Sequence, residues 1–196
     1  GCTNTHFANS HGLHDENHYT TAHDMYKITQ HAMTLPYFTE ICSQISYTLP
    51  KTNKSSESRT VIPTNNMLRS GGPDFYYTYA QGIKTGFTDQ AGYCLVSSAI
   101  YNGNSYLCVA LGAPAYDKEG ERIEKRKDMI ESANLYRWAF TQLELKSVIT
   151  QGTPVAEVPL KYVWGKDTLL LVAVDVLEQI LIVALRVAHL TQDLTV

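Results

Sequence analysis

The chain has 196 residues, a formal net charge of −3, 44% hydrophobic residues and 18% charged ones. That balance suits a globular protein with one medium domain and a smaller one. It excludes the strongly basic face of a nucleic-acid binder, and no run of eighteen apolar residues is present to form a membrane-spanning helix.

Residue 1 is Gly, and no basic-then-apolar leader opens the sequence. Residues 1–19 are polar, rich in His, Asn and Gly, and read as irregular loop. Thr20 or Thr21 can cap a helix from Ala22 to about Met33, whose apolar positions Ala22, Met25, Ile28, Ala32 and Met33 follow helical spacing. Asp24 favours the positive end of its dipole. Pro36 suits the first turn of a short helix reaching about Cys42, and Ile45 to Leu49 reads as a strand. Lys51 to Arg59, Asn65-Asn66 and Ser70-Gly71-Gly72-Pro73 are loop signals.

From Gln81 onward the pattern is β. Gly82 to Thr88 is one strand, and Tyr93 to Tyr101 with Ser105 to Leu111 forms a hairpin about Asn102-Gly103. The mixed-charge run Asp117 to Asp128 is a solvated lead-in to a helix from about Lys127 to Leu143. Met129, Ile130, Ala133, Leu135, Trp138 and Phe140 are expected to supply its apolar contacts. After Leu145, Val148, Val155, Val158, Leu160, Tyr162 and Leu169 to Val172 are short strand candidates broken by Gly152, Pro154, Pro159 and Gly165. A boundary is expected near Lys146. The apolar tail from Asp175 to Val196 reads equally as strand or helix.

Cys2, Cys42, Cys94 and Cys108 fit neither a CxxC zinc site nor a dense disulfide framework. With the turn at Asn102-Gly103, Cys94 and Cys108 stand about three residues out of register, too far for an easy bridge, so reduced thiols are expected. Six of the seven histidines, His6, His11, His14, His18, His23 and His31, lie near the start. His14 and His18 have the spacing of a helical metal pair, but Gly12 and Asn17 disfavour a helix and there is no HExxH pattern. No metal site and no cofactor are expected.

The informative stretch is Gly82-Ile83-Lys84-Thr85-Gly86-Phe87-Thr88, followed by Ala91-Gly92-Tyr93-Cys94-Leu95-Val96. A Lys-Thr-Gly on a strand, leading directly into a hairpin and then a long helix, resembles the active-site serine penicillin-binding enzymes and β-lactamases. Asn4-Thr5-His6-Phe7, His11-Gly12-Leu13, Tyr19-Thr20-Thr21-Ala22-His23-Asp24-Met25 and Asn65-Asn66-Met67-Leu68 narrow the resemblance to the serine-type D-alanyl-D-alanine carboxypeptidases, the peptidase S11 family. Class A β-lactamases share Lys-Thr-Gly but not these flanks. Order and spacing agree from about Thr3 to about Val172; residues 175–196 match nothing in the family pattern.

The resemblance implies a mixed α/β (α+β) fold of the β-lactamase/transpeptidase-like type, an antiparallel sheet with helices on both faces. It implies a catalytic domain over residues 1–145, incomplete at its N-terminus, and a small β-rich domain over 146–196. It implies a hydrolase that removes the terminal D-Ala from peptidoglycan stem peptides ending in D-Ala-D-Ala, through a serine acyl-enzyme that β-lactam antibiotics also form. In that pattern Lys84 supplies positive charge, Thr85 donates to the substrate carboxylate and Gly86 lets the peptide backbone approach. The Phe87 N–H is half of an oxyanion hole, and Thr88 completes the substrate-binding strand, whose edge pairs with the peptide. Tyr93 is a candidate for lining the same cleft or for packing. The implied location is the bacterial envelope, outside the cytoplasmic membrane, with any membrane attachment through segments outside this sequence.

Besides its tail, the chain departs from the family in two motifs. No serine is followed three residues later by lysine, and Ser-x-Asn occurs only as Ser132-Ala133-Asn134, after Lys-Thr-Gly and inside a predicted helix. Cys2-Thr3-Asn4 is a near miss in the wrong place. The expectation is a chain without its nucleophile, inactive alone. The alternative is a non-catalytic piece that binds the peptide or serves structure. With N-terminal helices missing from one face of the sheet, Leu95, Val109 and Leu111 are expected to be partly exposed.

Overall fold

The computed structural model describes residues 1–70, 75–143, 145–159, 168–173 and 177–180. The chain forms two compact units, residues 1–140 and 141–196.

The first unit is built on three antiparallel strands, β3 (Ala80–Thr88), β4 (Gly92–Tyr101) and β5 (Asn104–Ala113), hydrogen-bonded in the order β3-β4-β5. Asn102 (φ 48°) and Gly103 (φ 78°) make the turn that joins the last two, with Tyr101 paired to Asn104. Positive φ at both central residues matches the strand twist of a two-residue hairpin. Ser97 pairs with Cys108, so Cys94 and Cys108 are indeed out of register, and all four cysteines are free thiols.

Helix α3 (Lys127–Gln142) packs on this sheet. Met129, Ala133 and Tyr136 meet Ala80, Leu95 and Ala99 of the strands, together with Met67, Phe75 and Tyr77. Burying the larger of these side chains, Leu95, Met67, Met129 and Phe75, contributes about 1.5–3 kcal/mol each. The Tyr136 hydroxyl is satisfied at 2.9 Å by Ser97 Oγ, which is wholly buried. Burial pushes the Tyr136 phenol far above its ordinary range. Two expectations fail in part here. Leu95 is 1% exposed, because α3 covers it; of the three residues expected to be uncovered, Val109 is half-buried and Leu111 is exposed. On α3, Leu135 and Trp138 are exposed, and Tyr136 and Ala139 take the buried positions, because the contact stripe is rotated toward the residues that face β4. Val96 and Ser98 are also buried although they point opposite to Leu95 and Ser97, so both faces of β4 are covered.

The elements before the sheet are shorter. Helix α1 (Ala22–Ala32) is capped by Thr21, whose hydroxyl accepts from the Asp24 N–H at 3.1 Å, and it packs along β5. Its most buried residues are polar, Asp24 and Thr29, rather than the apolar set. Asp24 Oδ2 accepts from the Asn4 N–H at 2.8 Å and the Thr5 hydroxyl at 2.7 Å, tying the N-terminal segment to the helix. The Thr5 bond is the main reason its pKa is lowered; burial opposes and the Asn4 bond assists. The early histidines serve the loop: His18 Nδ1 accepts from the Ala8 N–H and His11 Nδ1 from the Leu13 N–H, both at 3.1 Å.

Helix α2 (Phe38–Cys42) starts two residues later than Pro36, because Tyr37 adopts a left-handed φ of 66° and becomes the cap. The following strand is Tyr47–Leu49 (β1), shorter than expected, and it pairs with Arg59–Val61 (β2), which begins where the loop signal of Lys51 to Arg59 ends. A single 3₁₀ turn, Asn66–Leu68, is capped by Asn65.

In the second unit β6 (Leu145–Ile149) pairs with β9 (Leu177–Ile180), and β7 (Pro154–Pro159) with β8 (Thr168–Val172), all antiparallel. Of the expected strand positions, Leu160 and Tyr162 lie outside the described residues, as does the tail beyond Ile180. No described helix is long and apolar enough to cross a membrane.

Candidate functional site

Among the described residues strand β3 is hydrogen-bonded to one strand only, β4. In an antiparallel ladder half of the backbone groups of an edge strand point away from the partner. Lys84, Thr85, Gly86, Phe87 and Thr88 therefore lie in a row along an edge, the last five residues of the strand. Lys84, Gly86 and Phe87 are exposed. The register pairs Lys84 with Val96, Thr85 with Leu95, Gly86 with Cys94 and Phe87 with Tyr93, so Lys84 and Gly86 share one face and Thr85 and Phe87 the other.

Side-chain contacts refine this row. Lys84 Nζ donates to the Thr85 carbonyl. The Thr85 hydroxyl shares a hydrogen bond with the hydroxyl of Thr64, which brings the segment after β2 against the strand. The Thr88 hydroxyl accepts from the Ala91 N–H at 3.0 Å, within the turn into β4. A Cβ on Gly86 would meet only the Cys94 Cβ, at an ordinary 3.6 Å, so the fold does not require glycine there.

A second group of residues gathers beside Phe87, of which the sequence pointed to Tyr93 alone. The segment after β5 closes into a tight loop: Tyr116 and Arg122 form a backbone bridge, the Ile123 N–H donates to the Ala115 carbonyl at 2.8 Å, and Asp117 Oδ1 accepts from the Glu119 and Glu121 N–H groups. This returns Arg122 to the strand end. Its guanidinium carbon lies 5.6 Å from the Phe87 ring centroid, and its Nε donates to the Tyr93 hydroxyl at 3.1 Å. The hydrogen bond to Tyr93 is the main reason its pKa is raised further. Arg126 lies over the Tyr93 ring at 4.1 Å and forms a two-bond ion pair with buried Asp128. Asp89 accepts from the Tyr116 hydroxyl at 2.8 Å, which pushes the Tyr116 phenol upward. Tyr93, Arg122, Lys125 and Arg126 line an open cleft of about 570 Å³ with Phe75 and Ile130. In the sequence these residues read only as a charged run; the bridge that closes the loop is local, and the contacts of Arg122 with Phe87 and Tyr93 are tertiary. Among the described residues no three of His, Cys, Asp and Glu come together to hold a metal ion.

A family model described as D-alanyl-D-alanine carboxypeptidase, peptidase S11, matches residues 1–115. The chain belongs to this family. It is 32% identical over 164 residues to the D-alanyl-D-alanine carboxypeptidase DacA of Haemophilus influenzae, covering 83% of this chain and 36% of that protein. It is 27% identical over 162 residues to DacF of Bacillus subtilis, covering 82% and 37%. The crystal structure of penicillin binding protein 5 from Haemophilus influenzae superimposes with a TM-score of 0.61 at 31% identity, covering 90% of this chain and 45% of that one. The fold is thus of the penicillin-binding, transpeptidase-like type, mixed α/β with antiparallel sheets. The chain spans little more than a third of the length of these curated relatives.

Proposed function

We propose that this chain carries the substrate-docking part of a serine D,D-carboxypeptidase, which removes the terminal D-Ala from peptidoglycan stem peptides in the bacterial envelope. The observation that carries the reading is the open edge of β3, with Lys84, Thr85 and Gly86 in a row and Arg122 held beside Phe87. An extended peptide adds to such an edge by backbone hydrogen bonds. Thr85 donates to the terminal carboxylate, Lys84 and Arg122 supply positive charge, Gly86 leaves space for the peptide backbone, and the Phe87 N–H faces the developing oxyanion. Thr88 shapes the end of this strand through its turn. No metal or cofactor enters the scheme. The compact units support a catalytic-type domain over about residues 1–145 and a β-rich domain over 146–196.

The nucleophile and its base are supplied from outside these residues, since no Ser-x-x-Lys occurs in the sequence. Within the chain, Ser97 and Ser98 are buried, and Ser97 is held by Tyr136. The same observation favours the second reading, a non-catalytic peptide-binding piece. Both readings predict no covalent adduct on this chain from a fluorescent penicillin, read by denaturing electrophoresis and intact mass. A stoichiometric adduct on one of its serines would remove both. Docking is tested by titrating the chain with an acetylated peptide ending in D-Ala-D-Ala and with its L-Ala-L-Ala counterpart, followed by NMR. Weak binding, with Kd on the order of 1 mM, is expected for the D,D peptide alone. Equal binding of both would refute substrate docking. With a Ser-x-x-Lys segment on the same chain, Lys84→Ala lowers kcat/KM by about a hundredfold, ~2.7 kcal/mol, and catalysis separates the first reading from the second.

A further inference from the structure

Arginine side chains on a surface sample many rotamers, and a ligand that uses one must first order it. Arg122 is already ordered, and the contacts that order it come from two residues of the sheet, Tyr93 of β4 and Phe87 of β3. Its Nε donates to the Tyr93 hydroxyl at 3.1 Å, while its guanidinium lies over Phe87. Among the described residues the two terminal nitrogens have no hydrogen-bond partner, so they stay available to an anion. Asp89, a carboxylate whose charge Arg122 feels, is engaged by the Tyr116 hydroxyl. Tyr93 itself cannot move freely. It is 5% exposed, its ring lies 5.0 Å from Phe87, and its other contact is Arg126, locked in turn by Asp128. The chain of support therefore runs from buried Asp128 through Arg126 and Tyr93 to Arg122, and ends at the exposed end of the docking strand.

We infer that Tyr93 is a positioning residue: its hydroxyl fixes Arg122 at Nε and leaves the outer face of the guanidinium for the peptide carboxylate, a role that rests on the docking function proposed above. Tyr93 does not touch the ligand and takes no proton. It shortens the search that Arg122 would otherwise make, and preordering of this kind raises affinity for the charged ligand specifically.

Tyr93→Phe keeps the ring, the Phe87 contact and the seat for Arg126, and removes only the acceptor. Two measurements on the full chain test it. In ¹⁵N NMR of the arginine side chains, the Arg122 Nε–H should be distinct and slow to exchange in the wild type, and should move to the position of a free arginine in Tyr93→Phe. The Arg126 Nε–H, bonded to Asp128, should not move, which separates lost positioning from general damage. The second measurement is the preference for acetyl-D-Ala-D-Ala over its C-terminal amide. The wild type should prefer the carboxylate, Arg122→Gln should lose the preference, and Tyr93→Phe should lower it about three- to tenfold. Arg122→Lys keeps the charge without the Nε–H and should match Tyr93→Phe, which keeps the inference testable if that variant folds poorly. A wild type with no preference for the carboxylate overturns the docking function and this role together. A preference that depends on Arg122 but is unchanged in Tyr93→Phe, or an Arg122 Nε–H signal that does not respond, overturns the role of Tyr93 alone.

Discussion

The two halves of β3 have the same secondary structure and opposite surroundings. Ala80 and Gly82 are buried, and Gly82 lies so close to α2 that a Cβ on it would sit 2.9 Å from the Cys42 carbonyl oxygen. Its φ of 129° is also one that side chains rarely adopt. From two residues on, Lys84, Gly86 and Phe87 face solvent, and the nearest atom to a Cβ on Gly86 would be at 3.6 Å. One strand thus serves two purposes. Its first half is held by the fold, and that rigidity aligns its second half, whose residues the fold does not need. A glycine in each half makes the difference measurable.

The largest effect is expected at the held end. Gly82→Ala introduces both a backbone strain and a steric overlap, for a loss of about 3 kcal/mol or more by chemical denaturation. A loss below about 1 kcal/mol would mean that α2 yields easily, and the contrast between the two halves would collapse. Next comes the support behind the strand. Tyr136→Phe strands the buried Ser97 hydroxyl and should cost about 1–2 kcal/mol, with peptide binding by the folded protein unchanged.

A third effect depends on pH. The Asp24 carboxylate is held below its ordinary pKa of 3.8, chiefly by the Thr5 hydroxyl. A depressed carboxylate stabilises the fold above its unfolded pKa, and that contribution is lost as pH falls through the lower folded value. The Asn4 amide resonance should therefore report release of the N-terminal segment only below about pH 4, and Asp24→Asn should abolish this acid step. A step centred near neutral pH would point to a histidine instead.

The smallest stability effects belong to the open end. Gly86→Ala, Lys84→Ala and Thr85→Val should each change unfolding free energy by less than about 0.5 kcal/mol, yet each should weaken binding of a D-Ala-D-Ala peptide. A large destabilisation at Gly86 would assign that glycine to the fold rather than to the ligand.

Much of this architecture was legible from local signals. Asn102-Gly103 specified the hairpin because few residue pairs tolerate two consecutive positive φ values, and Lys-Thr-Gly in its strand context pointed to the family that the comparisons then identified. Caps and periodicity placed α1 and α3 to within a residue or two. What escaped the sequence was decided by partners distant along the chain. Which stripe of α3 is buried depends on β4, so Tyr136 could not be preferred over Leu135 or Trp138 from spacing alone. Asp24 is buried because Asn4 and Thr5 reach it, and β2 exists only because β1 lies beside it. Arg122 reads as one charge in a solvated run until the Tyr116–Arg122 bridge folds it back onto Phe87 and Tyr93. Local propensity and turn chemistry act over a few residues and are written in the sequence; burial and the placement of charge are properties of contacts between segments, and only the tertiary structure brings those segments together.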